Sequence, residues 1–309
     1  MKPEMAKLIR ESAAVPSIPQ VVQRFLEVIS DPNFDYSDVV KILSVDAGTV
    51  SEILRLANSA LFGVSRKVTS LKQALTLLGP RRTRSLVLGR FLVETVGGDS
   101  AAGGVDRSYF WRRSLACGVI AARVADKLCP RHRDEVFLSA LLADVGVTIL
   151  AEVLPEAYAD FTANYAPYGD RFDADAEQRA VDTSHCEVSA MVLAEWQLPE
   201  PMCRAVAASH DDTIEVTDEA SQMARVINSA DRIAKLLCEI PDVEQCVRVC
   251  TEAMDFVGVE LSVLINLLAD VEKDVEELAA ILRIDVIPSN VYGQIAQAVR
   301  EKLTPQPAT

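Results

Sequence analysis

Apolar residues in this chain recur at three- and four-residue intervals between polar helix starts and Gly or Pro stops, a periodicity that restricts the fold to packed helices. Ser17 with Pro19 reads as a helix start, after which Val21, Val22, Phe25, Leu26, Val28 and Ile29 share one face until Asp31-Pro32 ends the run. Ser37 reads as the cap of a short helix over 38–45, and Asp46-Ala-Gly48 turns the chain into another over 49–58, giving a structural helical hairpin. Thr69-Ser70 starts a helix that stops at Gly79-Pro80, and the next runs from Arg81 to about Val96. Leu, Ala and Val abound, aromatics make up only 6%, and Gly and Pro are sparse, so the expected fold is all-α.

A chain of 309 residues suits one large or two closely packed domains. The break falls at Gly97-Gly-Asp-Ser-Ala-Ala-Gly-Gly104, the most linker-like segment. Its Gly-Gly-Asp has no hairpin strands around it and reads as linker. The expectation is a two-lobed helical protein with a first lobe over 15–97, a linker over 98–106 and a second lobe starting at 107. In the second lobe, Tyr109-Phe-Trp-Arg-Arg-Ser114 opens a helix, and a single helix is expected over 133–153. Ser184-His-Cys-Glu187 has capping-box spacing, which places His185 in the first turn of a helix reaching Trp196. Pro199 starts the next helix, which ends at Ser209-His-Asp-Asp212, and a long helix over 221–238 carries Asp231. Apolar helices over 213–290 complete the second lobe, and 291–309 is a helix end and tail.

A net charge of −14 and a pI near 4.8 repel phosphate backbones, so nucleic acid is disfavoured as the primary partner. Arg81, Arg82, Arg84 and Arg90 gather on one helix and read as a solvated face. Seven scattered cysteines with no CxxC pair indicate neither a zinc knuckle nor a disulfide framework. The first 20 residues lack the apolar run of a signal peptide, and no uninterrupted apolar stretch approaches the roughly 20 residues that span a bilayer. A cytoplasmic protein without membrane contact is therefore expected.

The run Asp35-Tyr-Ser-Asp-Val-Val-Lys-Ile-Leu-Ser-Val-Asp46, then Ile53-Leu-Arg-Leu-Ala-Asn-Ser-Ala-Leu-Phe-Gly63 and Ser70-Leu-Lys-Gln-Ala-Leu-Thr-Leu-Leu-Gly79, resembles the HDOD family, HD-related output domains of bacterial signalling. The resemblance covers residues 15–212, with Ala47-Gly48 departing from the family's usual Asp-Pro. It implies a site laid out as in the HD superfamily of metal phosphohydrolases, whose stations read His, His-Asp, His, His and Asp. Here they read Arg113, Ala143-Asp144, His185, His210 and Asp231. The implied metal ligands correspond to Arg113, Ala143, Asp144 and Asp231, and two of these four cannot bind a cation. Ala143 has no lone pair, and Arg113 is a permanent cation without an acceptor.

Neither a metal nor another cofactor is therefore expected, and an Arg113 to Asp144 salt bridge, with Asp231 nearby, is expected to replace the ion. Against that stand plainer roles: His185 and His210 as capping or interhelical hydrogen-bond residues, Asp144 satisfied by backbone or Arg, and Asp231 paired at the surface with Arg232. Trp111 reads as core and His132 as exposed. Cys186 beside His185 is set aside, because adjacent helical residues point in different directions. No phosphate loop, G-x-S-x-G elbow or H-E-x-x-H is present. The sequence thus favours a non-catalytic signalling or regulatory module that binds a protein partner or small ligand. Two alternatives stay open: a metal-dependent phosphohydrolase or cyclic-nucleotide phosphodiesterase using Asp144, His185, His210 and Asp231, and a module that binds a nucleotide without cleaving it.

Overall fold

The computed structural model describes residues 1–301 except 16, 32, 46, 59–66, 96–103, 167, 168, 170, 171, 240, 241, 283, 285–296 and 298. Among these residues the regular structure is helical throughout. The first lobe holds α2 (Gln20–Ser30), α3 (Tyr36–Leu43), α4 (Ala47–Ala57) and α5 (Leu71–Thr95), preceded by α1 (Pro3–Arg10). The second lobe holds α6 (Arg107–Leu128), α7 (Arg133–Leu142), α8 (Val145–Val153), α9 (Pro155–Thr162), α10 (Ala174–Val181), α11 (His185–Glu195), α12 (Glu200–Ala207), α13 (Glu219–Leu237), α14 (Val243–Val257) and α15 (Leu261–Leu282). Of the expected linker over 98–106, residues 98–103 lie outside the described residues, while Val105 is buried and Asp106 already caps α6; the tail over 302–309 lies outside them altogether.

In the first lobe the apolar periodicity does what the sequence requires. Helix α2 buries Val22, Phe25, Leu26 and Ile29, a stripe at three- and four-residue intervals, while Val21 stays exposed. Its start differs from expectation: Pro19 is the N-cap and makes no side-chain cap bond. Likewise α3 is capped by Asp35, whose carboxylate accepts from the Ser37 N–H at 2.7 Å, and not by Ser37. Gly79 at φ +74° breaks α5, with Pro80 behind it, a left-handed turn that a residue with a Cβ resists. Asn58 ties the end of α4 to Val68. Its amide donates to the Val68 carbonyl at 3.0 Å, and its own oxygen accepts from the Val68 N–H at 2.8 Å.

Helix α6 is the axis of the second lobe, started by Asp106 accepting from the Tyr109 N–H at 3.0 Å. Its residues from Tyr109 to Ala122 are buried except Arg112, because α7, α13 and α15 surround it. The lobes share one continuous apolar core, with α5 packed on α7 and α15 reaching both α4 and α6. Of the four arginines of α5, Arg81 stays mostly exposed as expected, while Arg82, Arg84 and Arg90 are only partly so. Arg82 pairs with Asp134 at 2.8 Å, Arg81 reaches Glu135 at 3.8 Å, Arg84 donates to the Gln197 carbonyl and Arg90 pairs with Glu94 at 2.7 Å. Three of these bonds fasten the first lobe to the second.

The stretch Pro130–Val153 amends the expectation about apolar runs, since by length and composition it is sufficient to cross a membrane. Most of it is buried inside the fold, as befits helices at the centre of a bundle.

Candidate functional site

The expected single helix over 133–153 is broken in the middle, and the break builds the site. Asp144 adopts φ −104° and ψ 9° between α7 and α8 and stands as the N-cap of α8 without a side-chain cap bond. Its carboxylate therefore faces inward to the N-terminus of α11. Two residues on, the backbone of Gly146 lies directly against His185: a Cβ there would sit 2.1 Å from the His185 carbonyl oxygen. The Gly146 N–H donates to Ser189 Oγ at 2.8 Å, sealing α8 onto α11. Ser184 caps α11 by accepting from the Glu187 N–H at 3.2 Å, which fixes His185 as its first residue.

The expected salt bridge forms with the other carboxylate. Arg113 donates from Nε to Asp231 Oδ1 at 3.0 Å and from its terminal nitrogen to Asp231 Oδ2 at 2.8 Å, a bidentate pair. Asp144 is not its hydrogen-bond partner. Asp231 is carried inward on α13, because α13 packs directly on α6, the helix that carries Arg113. The surface pairing of Asp231 with Arg232 does not occur, as Arg232 turns to Asp212 and Asn228. Burial opposes the charge on Arg113, yet the adjacent Asp231 outweighs it and holds the guanidinium well above its usual value. The guanidinium also stacks over the Tyr165 ring, 4.9 Å from its centre. Ala143 contributes only its methyl group to the apolar core.

Asp144 takes the two imidazoles instead. Its Oδ1 lies 3.1 Å from His210 Nε2 and 3.4 Å from His185 Nε2. Burial would raise its carboxyl, but the bonds from His185 and His210 hold it well below the usual carboxylate range. Fully buried His185 is held at its other nitrogen by Glu177, 3.2 Å from Nδ1, and Glu177 also accepts the His185 backbone N–H at 2.8 Å. Tyr158 donates its hydroxyl to the same buried carboxylate. Burial disfavours charge on His185 and on His210, yet the neighbouring Cys186 and carboxylates overcome it and raise both imidazoles above their ordinary value. Both histidines thus make the interhelical hydrogen bonds expected of them, and they make them to one shared carboxylate.

Cys186, set aside on helix geometry, belongs to the cluster: its Sγ lies 3.3 Å from His185 Nε2. In the first turn of α11 the His185 ring folds back towards its neighbour, which adjacency rules do not foresee. Burial pushes the Cys186 thiol up, but His185 and His210 outweigh it and lower it. Glu177 gave no signal, because the polar run Ala174–Val181 reads as a surface helix. Gly146, a glycine inside an apolar run, was the available sign of close backbone approach. His132 also departs from expectation, standing half-buried between Glu135 at 3.0 Å and Glu219 at 3.2 Å. Trp111 is core, at 3% exposure.

A cavity of about 1150 Å³ opens beside this cluster and is lined by Arg113, Cys186, His210 and Asp231 from the site itself. Its wall also carries Asp173, Asp175, Asp211, Asp212, Glu239, Asp242 and Glu252, against Arg232 and Lys235 as the further cations. The lining is therefore anionic, which disfavours a polyphosphate occupant.

Several known proteins are similar to this chain in fold or sequence. An HDOD protein from Geobacter sulfurreducens superposes with a TM-score of 0.64 at 21% identity, covering 92% of this chain and 99% of its own. A Shewanella amazonensis SB2B protein provisionally named a phosphohydrolase gives 0.65 at 20% identity, covering 96% and 98%. An uncharacterized protein of Treponema pallidum (strain Nichols) is 24% identical over 210 residues, and the match spans 64% of this chain and 38% of that relative's length. The HDOD domain profile matches residues 15–212, which hold the broken α5, the Arg113 helix, Asp144 and both site histidines. With that match over most of its length, the chain belongs to the HDOD domain family.

Proposed function

We propose that this chain is a non-catalytic HDOD module of signal transduction or regulation, acting by binding a protein or small-molecule partner after losing the hydrolytic metal chemistry of the HD superfamily. The observation that carries this reading is the bidentate bond of Arg113 to Asp231. Both oxygens of one implied metal ligand are consumed by a cation of the chain itself, and Ala143 supplies no donor to replace it. A hydrolytic centre needs a held ion with an open position for water, and these positions offer neither. The anionic cavity wall favours a neutral or cationic partner surface over a nucleotide. The seven unpaired cysteines support a reducing compartment, and we place the protein in the cytoplasm on that ground.

Turnover tests the reading. The purified chain, supplied with Mg²⁺ or Mn²⁺, is assayed on a chromogenic phosphodiester and on cyclic mono- and dinucleotides, with release of product measured against a protein-free blank. No turnover above the blank is expected. Turnover that disappears in Asp144→Asn would overturn the reading and restore the phosphohydrolase alternative.

A further inference from the structure

We propose that α1 is a displaceable strap, the built-in occupant of a groove along α8 and α11 that receives a basic amphipathic helix from a partner. The match to the HDOD profile over 15–212 leaves this helix out, yet it lies across the two elements that build the site. Asp144 caps α8, and His185 opens α11. Helix α1 packs on α8, and its stripe at four-residue spacing joins the core: Ile9 is fully buried, with Met1 and Met5 partly buried behind it. Two ion pairs fix its direction. Lys2 Nζ lies 2.8 Å from Asp182, which precedes α11, and Arg10 Nε lies 2.6 Å from Glu195, the last residue of α11. The strap therefore runs along α11 in the same sense, with a cation at each of its ends against an acid at each end of α11.

The strap is held weakly. Each of the four charged side chains is at least 31% exposed, so water and salt screen both pairs. Eight residues are too few for a helix to persist by itself, and Lys2 at its start makes no side-chain cap bond. Ile9 alone along α1 is buried outright. A segment with so few buried contacts opens at the low end of a protein's stability range, while the enclosed α6 stays shut.

Once open, the groove offers the apolar surface that Met5 and Ile9 now cover, with Asp182 and Glu195 at its two ends. The complementary ligand is a helix with apolar residues four apart on one face and a cation towards each end, a helix-in-groove contact with α1 as its template. The tether gives α1 a high local concentration, so a partner competes with a resident ligand and its apparent affinity falls by the closed fraction. Displacement removes a brace from the α8 and α11 pair, whose contact at Gly146 and His185 shapes the site. Neither α1 nor Asp182 and Glu195 lines the cavity, so this surface is separate from it, and the inference stands whether or not the chain turns over a phosphodiester.

The test has two arms on the full chain. In the first, amide hydrogen exchange is followed in the wild type at low and high salt. The amides of α1 are expected to exchange at least about 100-fold faster than those of α6, and about threefold faster again at ~0.5 M NaCl as the ion pairs are screened. Protection of α1 equal to that of α6 at both salts overturns the proposal. In the second, a synthetic peptide of residues 1–12, labelled at its C-terminus, is titrated by fluorescence anisotropy against the wild type and against Ile9→Glu, which puts a charge in the buried stripe and frees the groove. Binding to Ile9→Glu is expected to be at least about tenfold tighter than to the wild type, and a peptide carrying Lys2→Glu and Arg10→Glu to bind at least about tenfold more weakly than the native one. No binding to Ile9→Glu, or equal binding of the charge-reversed peptide, overturns the proposal. Circular dichroism checks that Ile9→Glu is folded; if it is not, the exchange arm on the wild type decides.

Discussion

Replacing Arg113 by Met while keeping Asp231 removes a buried cation from a bidentate pair and leaves the carboxylate without its strongest partner. Both side chains are largely shielded, at 5% and 12% exposure, so water replaces little of the lost interaction. Breaking a buried ion pair on one side costs about 3–5 kcal/mol. His210 Nδ1 stands 4.0 Å from the same carboxylate and compensates in part, which places the expected loss at the lower end, about 3 kcal/mol. An unfolding entropy of about 2.1 cal/mol/K per residue gives roughly 0.65 kcal/mol per degree for 309 residues, so Tm should fall by about 5 °C. The double variant Arg113→Met, Asp231→Leu removes both charges and should recover much of that loss, because two buried ions exchanged for apolar side chains are often neutral. Urea unfolding of the wild type, both single variants and the double variant, in chelator and followed by fluorescence and circular dichroism, measures the coupling. A loss below about 1 kcal/mol for Arg113→Met, or a double variant as unstable as the two singles summed, would refute the reasoning.

Gly146→Ala should be costly for its size: the new methyl meets the His185 carbonyl oxygen at 2.1 Å, and both partners are helix backbone that cannot step aside. A loss of at least about 1–3 kcal/mol in urea is expected, against a smaller one for Gly118→Ala, whose nearest neighbour is the Phe137 ring at 3.2 Å; equal costs would remove the case for a backbone clash. Stability should also depend on pH through the imidazole cluster. His185 and His210 are raised on folding, so the stability they lend is complete below about pH 6.5 and is lost as pH climbs through their folded values. Asp144 is lowered, so its contribution is present above about pH 3.9 and is lost as pH falls. In metal-free buffer the wild type should weaken as pH rises above about 6.5, and His210→Gln should show a flatter slope there; identical slopes would count against the cluster.

The helical fold was written in the sequence because local rules govern it. The stripe Val22, Phe25, Leu26 and Ile29, the stop at Gly79-Pro80 and the Ser184 cap of α11 each depend on residues within a turn or two of one another. Caps shifted by one or two residues, as at Asp35 for Ser37, because neighbouring polar side chains compete for the same free N–H groups. The family signature placed Arg113, Asp144, His185, His210 and Asp231 in one site, and the residue types alone showed that two of the implied ligands cannot bind an ion.

The pairing within the site was decided by tertiary structure. Which carboxylate Arg113 takes depends on the packing of α13 against α6, residues 118 apart in sequence, and it takes Asp231. That leaves Asp144 to the two histidines. Its orientation follows from a helix break that apolar periodicity cannot reveal, since residues on both sides of Asp144 are equally apolar and equally buried. Glu177 and Cys186 entered the cluster for the same reason. Composition fixes whether a side chain prefers the interior, but only the close approach of α8 to α11 at Gly146 determines which buried polar groups meet there and satisfy one another.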